Sequence, residues 1–152
     1  NQPFAKAADP GEDFEIPFGK SRVRKDGKDL TILAYGTPVH WALRAANQLK
    51  QDHGIDAEVI DLRSIVPLDM EGIGESVKKT GRVLIAHEDK VTGGVGGEIA
   101  ARIAGSFFEY LDAPILRVGS QDCPVPFSRI LERAVLPQVE DVYAKALELA
   151  KY

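Results

Sequence analysis

One short segment carries residue types that could do chemistry. His87, Glu88 and Asp89 follow residues 83–86, an apolar run that is typical of a buried strand. An imidazole beside carboxylates can act as a general base or ligate a metal. Adjacent strand residues point to opposite faces of a sheet, however, and no second His or Cys pair stands at metal-ligand spacing. The pattern therefore favours a polar strand end at an interface over a catalytic or metal site.

A second segment is rich in glycine. Residues 93–97 read Gly-Gly-Val-Gly-Gly and precede a helical pattern, which is where a dinucleotide-binding domain holds its pyrophosphate. Read from Gly94, the motif has Ile99 where a third glycine or alanine is expected, and Glu98 adds negative charge to the first helical turn. We therefore expect a tight turn packed against a neighbour. A stand-alone nucleotide-binding or interaction domain is the alternative from another class.

Composition excludes several classes of protein. With 19 basic and 23 acidic residues the net charge is −4, which argues against a nucleic-acid surface. No apolar run approaches the roughly 18 residues that span a bilayer, so no membrane contact is expected. Cys123 is the single cysteine, so it cannot form an internal disulfide, and no neighbouring base marks it as a nucleophile.

The elements that must position these segments alternate between strand and helix. Strands are predicted at residues 30–35, 57–62, 82–87 and 114–118. Helices are predicted from Pro38 to Gly54, from Asp69 to Gly81, from the glycine segment to Leu111, before Pro137, and from Val139 onward. Short connections between alternating elements predict an α/β fold, a three-layer α/β/α open sheet of mostly parallel strands.

The first thirty residues add two features. Asp26-Gly27 lies between residues 22–24 and 30–35, a pattern that predicts a hairpin and one antiparallel edge strand. Residues 1–17 contain three prolines and four acids without periodicity, which is typical of an extended linker. We therefore expect a linker over 1–17, following a missing domain, and a folded domain over 18–152.

A series of collinear segments between about Glu15 and Tyr152 match a known pattern. They are residues 16–20, 34–40, 58–69, 76–82, 87–88, 92–94, 98–99, 111–114 and 117–118, together with Asp122, Pro124 and Pro126. Together they resemble the beta subunit of thiamine-diphosphate-dependent 2-oxo acid dehydrogenases, within the transketolase C-terminal domain family.

The resemblance implies an enzyme whose chemistry lies elsewhere. The full enzyme would oxidatively decarboxylate a 2-oxo acid on thiamine diphosphate and magnesium and transfer the acyl group to lipoyl. The family's catalytic histidine and glutamate belong to an absent N-terminal pyrimidine-binding domain. No catalytic, cofactor or metal residue is therefore assigned. The isolated domain is expected to be inactive, and no cofactor is expected to bind to it alone. Residues 87–88 and 92–94 resemble the branched-chain, 2-oxoisovalerate type, with pyruvate or acetoin dehydrogenase as the alternative.

The resemblance also implies partners. These are the alpha subunit, a second beta subunit, the missing domain, and the acyltransferase core through its subunit-binding domain. In the family, this docking uses an acid within the Leu-Asp-Ala-Pro stretch and the chain terminus, so the resemblance implies Asp112 and Tyr152 here. Electrostatics is consistent with that assignment, because a basic module would meet a carboxylate and a terminal carboxylate. The expected subunit-interface residues are His87, Glu88, Gly93, Gly94 and Gly96. The expected compartment is the bacterial cytoplasm or the mitochondrial matrix.

Overall fold

The computed structural model describes residues 11, 12 and 14–152. Most of the predicted linker over 1–17 therefore lies outside the described residues, and its boundary stays a prediction. The described part of that stretch is exposed, and the first regular element begins at Arg22.

The described residues form five strands, five α-helices and one 3₁₀ turn. They are β1 (Arg22–Lys25), β2 (Leu30–Ala34), α1 (Pro38–His53), β3 (Ala57–Asp61), α2 (Met70–Thr80), β4 (Val83–Lys90), α3 (Val95–Phe107), the turn Phe108–Tyr110, β5 (Leu116–Ser120), α4 (Arg129–Val135) and α5 (Val139–Leu149). The strand order is β1-β3-β2-β4-β5, and only β1 runs antiparallel to its neighbour. The predicted mostly parallel sheet with one antiparallel edge strand is confirmed.

Local signals set the ends of the first two helices as predicted. Pro38 opens α1, where its missing N–H costs nothing, and Gly54 ends it in the left-handed conformation at φ 71°. The Asp69 carboxylate caps α2 by accepting a hydrogen bond from the Gly72 N–H at 3.1 Å, and Gly81 ends that helix at φ 65°.

The central strand β2 separates two hydrophobic clusters. Its five residues are all buried, as expected for a strand covered on both faces. Ile32 and Ala34 pack in the cluster that contains α1 and α5, whereas Leu33 packs in the cluster that contains α2 and α3. Helices therefore lie on both faces of the sheet, which gives the three-layer architecture.

The predicted hairpin is wrong. β1 pairs antiparallel with β3 and not with β2, whose two sides are occupied by β3 and β4. The backbone N–H groups of Lys28 and Asp29 both donate to the Asp56 carbonyl, at 2.9 and 3.1 Å, so the chain turns over the start of β3. Gly27 permits that crossing, because a Cβ there would overlap the Glu58 backbone nitrogen.

Two predicted boundaries near the polar strand end also need correction. β4 continues to Lys90, beyond the predicted end at His87, and its pairing with β5 shifts register between Ala86 and Lys90. α3 ends at Phe107, so Leu111 lies beyond the helix whose apolar face it was predicted to join. The shift of register between β4 and β5 is of a kind that often changes the direction of side chains near functional sites.

Candidate interface sites at the two ends of the sheet

The carboxyl ends of β2 and β4 meet where the chain connections diverge. β2 leads through α1 to β3 on one side, and β4 leads through α3 to β5 on the other. Open α/β sheets usually bind ligands in the crevice at such a point. Here the Tyr35 ring, just after β2, stacks on the His87 ring of β4 with centroids 6.4 Å apart and planes within 2°. Two rings of the chain itself therefore line the crevice.

Two glycines make room for the His87 ring. A Cβ at Gly96, in the first turn of α3, would overlap the imidazole Nε2 atom. A Cβ at Gly119, in β5, would lie 2.8 Å from the imidazole Cε1 atom and 2.7 Å from the Asp89 carbonyl oxygen. His87 is consequently 0% exposed. The sequence predicts that the glycine turn packs against a neighbouring group, and in the structure that group is the His87 imidazole.

Burial decides the protonation state of His87. Burial has the largest effect and lowers the pKa of the imidazole, and the Arg117 charge lowers it further. The Asp89 carboxylate and the Asp89 backbone both raise this pKa, but the net shift is downward. Neither ring nitrogen has a partner of hydrogen-bonding geometry among the described residues. A neutral, enclosed imidazole cannot exchange protons directly with a dissolved substrate, so this geometry supports packing and not general base catalysis.

The start of α3 is occupied by a carboxylate. Asp89 accepts hydrogen bonds from the backbone N–H groups of Lys90 at 2.8 Å and Val95 at 3.3 Å, and these bonds lower its pKa. A Cβ at Gly94 would overlap the Lys90 carbonyl oxygen, and Gly93 adopts φ 75°. The tight turn is confirmed. Because Asp89 fills the position that a phosphate would take, this geometry argues against nucleotide binding there.

The five predicted interface residues divide by exposure. His87, Gly94 and Gly96 are buried within the chain, whereas Glu88 and Gly93 are exposed. The predicted opposite orientation of His87 and Glu88 is confirmed by this difference in burial. Their contact with another subunit stays a prediction.

Sequence reasoning missed three contributors to this end of the sheet. Tyr35 and Asp89 were not assigned their roles, and Gly119 was not singled out. A usable signal was present, because a glycine inside a strand often marks a close approach of another group. Burial raises the pKa of the Tyr35 phenol, and the Asp89 and Glu88 carboxylates raise it further, so Tyr35 belongs electrostatically to the same cluster.

Asp112 lies at the opposite, amino end of the sheet. Its backbone N–H donates to the Gly81 carbonyl at 2.8 Å, and a Cβ at Gly81 would overlap its carboxylate. The side chain is exposed and lines a groove of about 630 Å³ whose walls are mostly apolar, including Ala104, Phe108 and Pro114. Among the described residues no cation pairs with this carboxylate.

Tyr152 lies at the same end of the molecule. It follows α5, which returns from the carboxyl end of β5 and so finishes near the amino end of the sheet. The Tyr152 N–H donates to the Leu149 carbonyl at 3.3 Å, while the residue is 60% exposed. The fold thus places both predicted docking residues at one end of the sheet.

A buried ion pair also lies at the amino end, and sequence reasoning missed its role. Glu58 in β3 is 0% exposed and accepts a hydrogen bond from the Thr31 hydroxyl at 2.9 Å. The Lys79 ammonium donates to Glu58 and, at 2.9 Å, to Asp26. Partial burial lowers the pKa of Lys79, but these two carboxylates raise it more, so the net shift is upward. The available signal was an acid in an apolar strand.

The described part of the chain contains neither a metal-binding cluster nor a membrane-spanning helix. Within residues 11, 12 and 14–152, no three His, Cys, Asp or Glu side chains are placed to hold a metal ion. In that same part, no helix has the length and apolar character needed to cross a membrane.

Comparison with known proteins defines the class. The family model described as transketolase, C-terminal domain, matches residues 19–142. The chain therefore belongs to the transketolase C-terminal domain family.

Within that family the chain is similar to beta subunits of 2-oxo acid dehydrogenases, which confirms the resemblance seen in its sequence. It is 44% identical to the pyruvate dehydrogenase E1 component subunit beta of Rhizobium meliloti, over 86% of this chain and 28% of that one. It is 41% identical to the 2-oxoisovalerate dehydrogenase subunit beta of Bacillus subtilis, over 94% and 44%. The chain thus spans less than half the length of these relatives.

A solved structure shows the same fold. It is described as a split gene transketolase, inactive beta4 tetramer, and it superposes with a TM-score of 0.78 at 33% identity. The match covers 93% of this chain and 44% of that one.

Proposed function

We propose that this chain is the C-terminal assembly domain of the beta subunit of a thiamine-diphosphate-dependent 2-oxo acid dehydrogenase. The single observation that carries this proposal beyond the family match is the set of side chains that line the crevice at the carboxyl end. The position where an open α/β sheet usually holds a ligand contains the stacked Tyr35 and His87 rings and the Asp89 carboxylate. A domain built this way presents surfaces to neighbours and leaves the reacting atoms to other parts of the enzyme.

The proposed substrate is a branched-chain 2-oxo acid of the 2-oxoisovalerate type, whose acyl group passes to lipoyl. Support comes from residues 87–88 and 92–94 and from the 2-oxoisovalerate dehydrogenase among the relatives. A pyruvate dehydrogenase is the second candidate, favoured by the Rhizobium relative. These relatives come from bacteria, and others are named as mitochondrial, so we propose the bacterial cytoplasm or the mitochondrial matrix.

We propose that thiamine diphosphate and its magnesium ion bind outside this domain. The diphosphate needs a free donor group, but Asp89 occupies the N-terminus of α3 and Asp69 caps α2. Within the described residues, no cluster of acids or histidines is placed for a metal. We therefore propose that the cofactor binds to the missing N-terminal domain and the alpha subunit, with no residue of this domain in contact with it.

Two faces are proposed for subunit contacts. At the carboxyl end, exposed Glu88 and Gly93 would meet a neighbouring subunit, with His87, Gly94 and Gly96 supporting them from below. The solved relative is a tetramer by its description, so we propose that this chain also meets a second copy of itself, beside the alpha subunit.

The amino end is proposed to dock the acyltransferase subunit-binding domain. Asp112 offers a carboxylate without a cationic partner in the described structure, beside an apolar groove, and Tyr152 offers an exposed phenol at the same end. An apolar groove with a charged rim suits a small basic module, because the carboxylate steers the encounter and the groove supplies buried area.

Calorimetric titration of the chain with a subunit-binding domain tests this docking face. We expect Asp112→Lys to weaken binding by at least about tenfold, because it replaces attraction with repulsion at the rim. Glu140→Lys is the matched control, since it makes the same charge change in the first turn of α5, at the other end of the sheet. Equal affinity for the folded Asp112→Lys variant and the wild type would remove the docking assignment.

Thermal melting with thiamine diphosphate and magnesium tests the cofactor assignment. We expect no change in Tm, because a ligand that does not bind the folded state cannot stabilise it. A saturable rise in Tm would show that the domain binds the cofactor itself and would contradict the proposal.

A further inference from the structure

A polar cleft of about 590 Å³ runs along one face of the sheet, beside the antiparallel edge strand β1. One wall is a single face of α2, which presents Gly72, Ser76 and Lys79 at helical spacing. The floor contains alternate residues of β3, Glu58 and Ile60. None of the residues proposed above for docking or subunit contact lines this cleft, so it is a separate feature of the fold.

The lining of the cleft is acidic. Five carboxylates face two ammonium groups, a net charge of −3, with acids at Asp26, Glu58, Asp69, Glu71 and Glu75 and cations at Lys20 and Lys79. Both lysines are already engaged, Lys79 with two of these carboxylates and Lys20 with one. Glu75 has no cationic partner among the described residues. The cleft therefore favours a further cation.

A buried hydroxyl in the same cleft also lacks a partner. Ser76 is 5% exposed and lines the cleft, and its hydroxyl forms no hydrogen bond within the part of the chain that the structure describes. Buried polar groups are normally paired, because burial without a partner costs free energy. Independently of its charge, the cleft thus presents a buried acceptor to a donor group that the chain itself does not supply.

The acids lie at both ends of the cleft. Glu58 and Asp26 stand at the amino end of β3, beside Lys79, whereas Asp69 and Glu71 stand at the start of α2. Asp69 and Lys79 are ten positions apart along α2, so the two ends are separated by about 15 Å. Within the described residues, no three acids or histidines converge on one point that a metal ion could occupy. An elongated cation fits this spacing better than a compact one.

The stretch between the acidic ends is apolar. Val23 of β1 and Ile60 of β3 are paired across the two strands, and both line the cleft. Val23 is 52% exposed, so part of this apolar surface is open to solvent. Methylene groups that cover it would be removed from water, which is favourable. Along its length the cleft therefore alternates between charged, apolar and charged surface.

We propose that this cleft binds a linear aliphatic polyamine. Its terminal ammonium groups lie at the two acidic ends, its methylene groups lie on Val23 and Ile60, and an inner N–H donates to the Ser76 hydroxyl. A volume of about 590 Å³ is within the range of small-molecule sites. The site goes beyond the assembly role proposed above and does not depend on it.

Calorimetric titration of the whole chain with spermidine at low ionic strength tests the site. We expect one saturable site whose dissociation constant rises at least about tenfold in Glu75→Lys, because an ammonium group replaces the unpaired carboxylate. Glu140→Lys is the matched control, since it makes the same charge change in the first turn of α5, outside the cleft. It should change the dissociation constant by no more than about twofold. Circular dichroism checks that both variants are folded.

A second variant separates hydrogen bonding from charge. Ser76→Ala leaves every charge in place, and we expect it to weaken spermidine binding about fivefold, because the ammonium loses its buried acceptor. Magnesium chloride is the probe of charge alone. It should bind at least about tenfold more weakly than spermidine, and its binding should not respond to Ser76→Ala.

Four results would overturn the inference. They are the absence of saturable spermidine binding, unchanged affinity in folded Glu75→Lys, magnesium binding as tight as that of spermidine, and unchanged affinity in Ser76→Ala. Dilysine amide, which carries the same formal charge as spermidine, distinguishes a free polyamine from a basic protein segment. Tighter binding of dilysine amide would assign the cleft to such a segment and would also defeat the proposal. None of these measurements involves the docking face or thiamine diphosphate, so the proposed function is tested separately.

Discussion

The two ends of the sheet are built on different physics. At the carboxyl end, Tyr35, His87, Gly96 and Gly119 fit together by shape, and the imidazole is neutral and enclosed. At the amino end, charged groups dominate, with a buried pair between Glu58 and Lys79, surface pairs around Asp56, and the exposed Asp112.

The two ends of the sheet should tolerate different kinds of substitution. A closely packed site is destabilised when one methyl group is added, because protein interiors have few voids that could hold it. Removal of one partner of a charge pair lowers stability only where the remaining charge cannot reach water. At the carboxyl end, the free energy of unfolding should therefore depend mainly on side-chain size and on pH. At the amino end, it should depend mainly on charge substitutions.

The largest effect is expected at Gly96. Gly96→Ala should lower the free energy of unfolding by about 3 kcal/mol, because the new Cβ overlaps the enclosed His87 ring and overpacked cores relax poorly. Urea denaturation measures the change. Gly105→Ala is the control in the same helix, where a Cβ meets nothing within 4 Å, and it should stabilise by about 0.5–1 kcal/mol. If both variants are stabilised, the close contact at Gly96 is wrong.

A smaller loss is expected at the buried pair. Lys79→Met should lower the free energy of unfolding by about 2 kcal/mol, because it leaves the Glu58 carboxylate buried with only the Thr31 hydroxyl as partner. The value is below that of a fully buried pair since the Lys79 side chain is 40% exposed. The double variant with Glu58→Gln should recover part of the loss. A Lys79→Met variant as stable as the wild type would show that water reaches the Glu58 carboxylate once the ammonium is removed.

Acidification should weaken the carboxyl end in particular. The pKa of His87 in the folded chain lies below its usual value of 6.5, so the unfolded chain takes up a proton first and stability falls as pH drops below 6.5. Between pH 7.5 and 5.5 the contribution is at most about 1.4 kcal/mol. His87→Leu should flatten this part of the curve. Asp89 and Asp69 have pKa values lowered from 3.8, so they act at lower pH. An unchanged slope in His87→Leu would contradict the enclosed, neutral ring.

The smallest effect is expected at a surface pair of the amino end. Lys50→Met should change the free energy of unfolding by only a few tenths of a kcal/mol, because the Lys50 side chain is 50% exposed and Asp56 keeps Lys25 as a partner. Comparison of melting at low and high salt measures this contribution. A loss of stability in Lys50→Met as large as that in Lys79→Met would mean that solvent exposure does not determine how much each ion pair at this end contributes.

The sequence alone determined the features that depend on neighbouring residues. Pro38, Gly54, Asp69 and Gly81 predicted both ends of α1 and α2, because caps are formed by groups within a few positions. The alternation of apolar runs predicted the layers and the mostly parallel sheet for the same reason. The motif segments, including Asp112, sufficed for the family.

Only the tertiary structure decided the features that join distant parts of the chain. Asp26-Gly27 has the local form of a hairpin turn, yet β1 pairs with β3, because both sides of β2 are taken by parallel strands. The neutral state of His87 depends on Gly96 and Gly119, which reach it through α3 and β5. No local pattern encodes such contacts, since they exist only after separate elements have packed together.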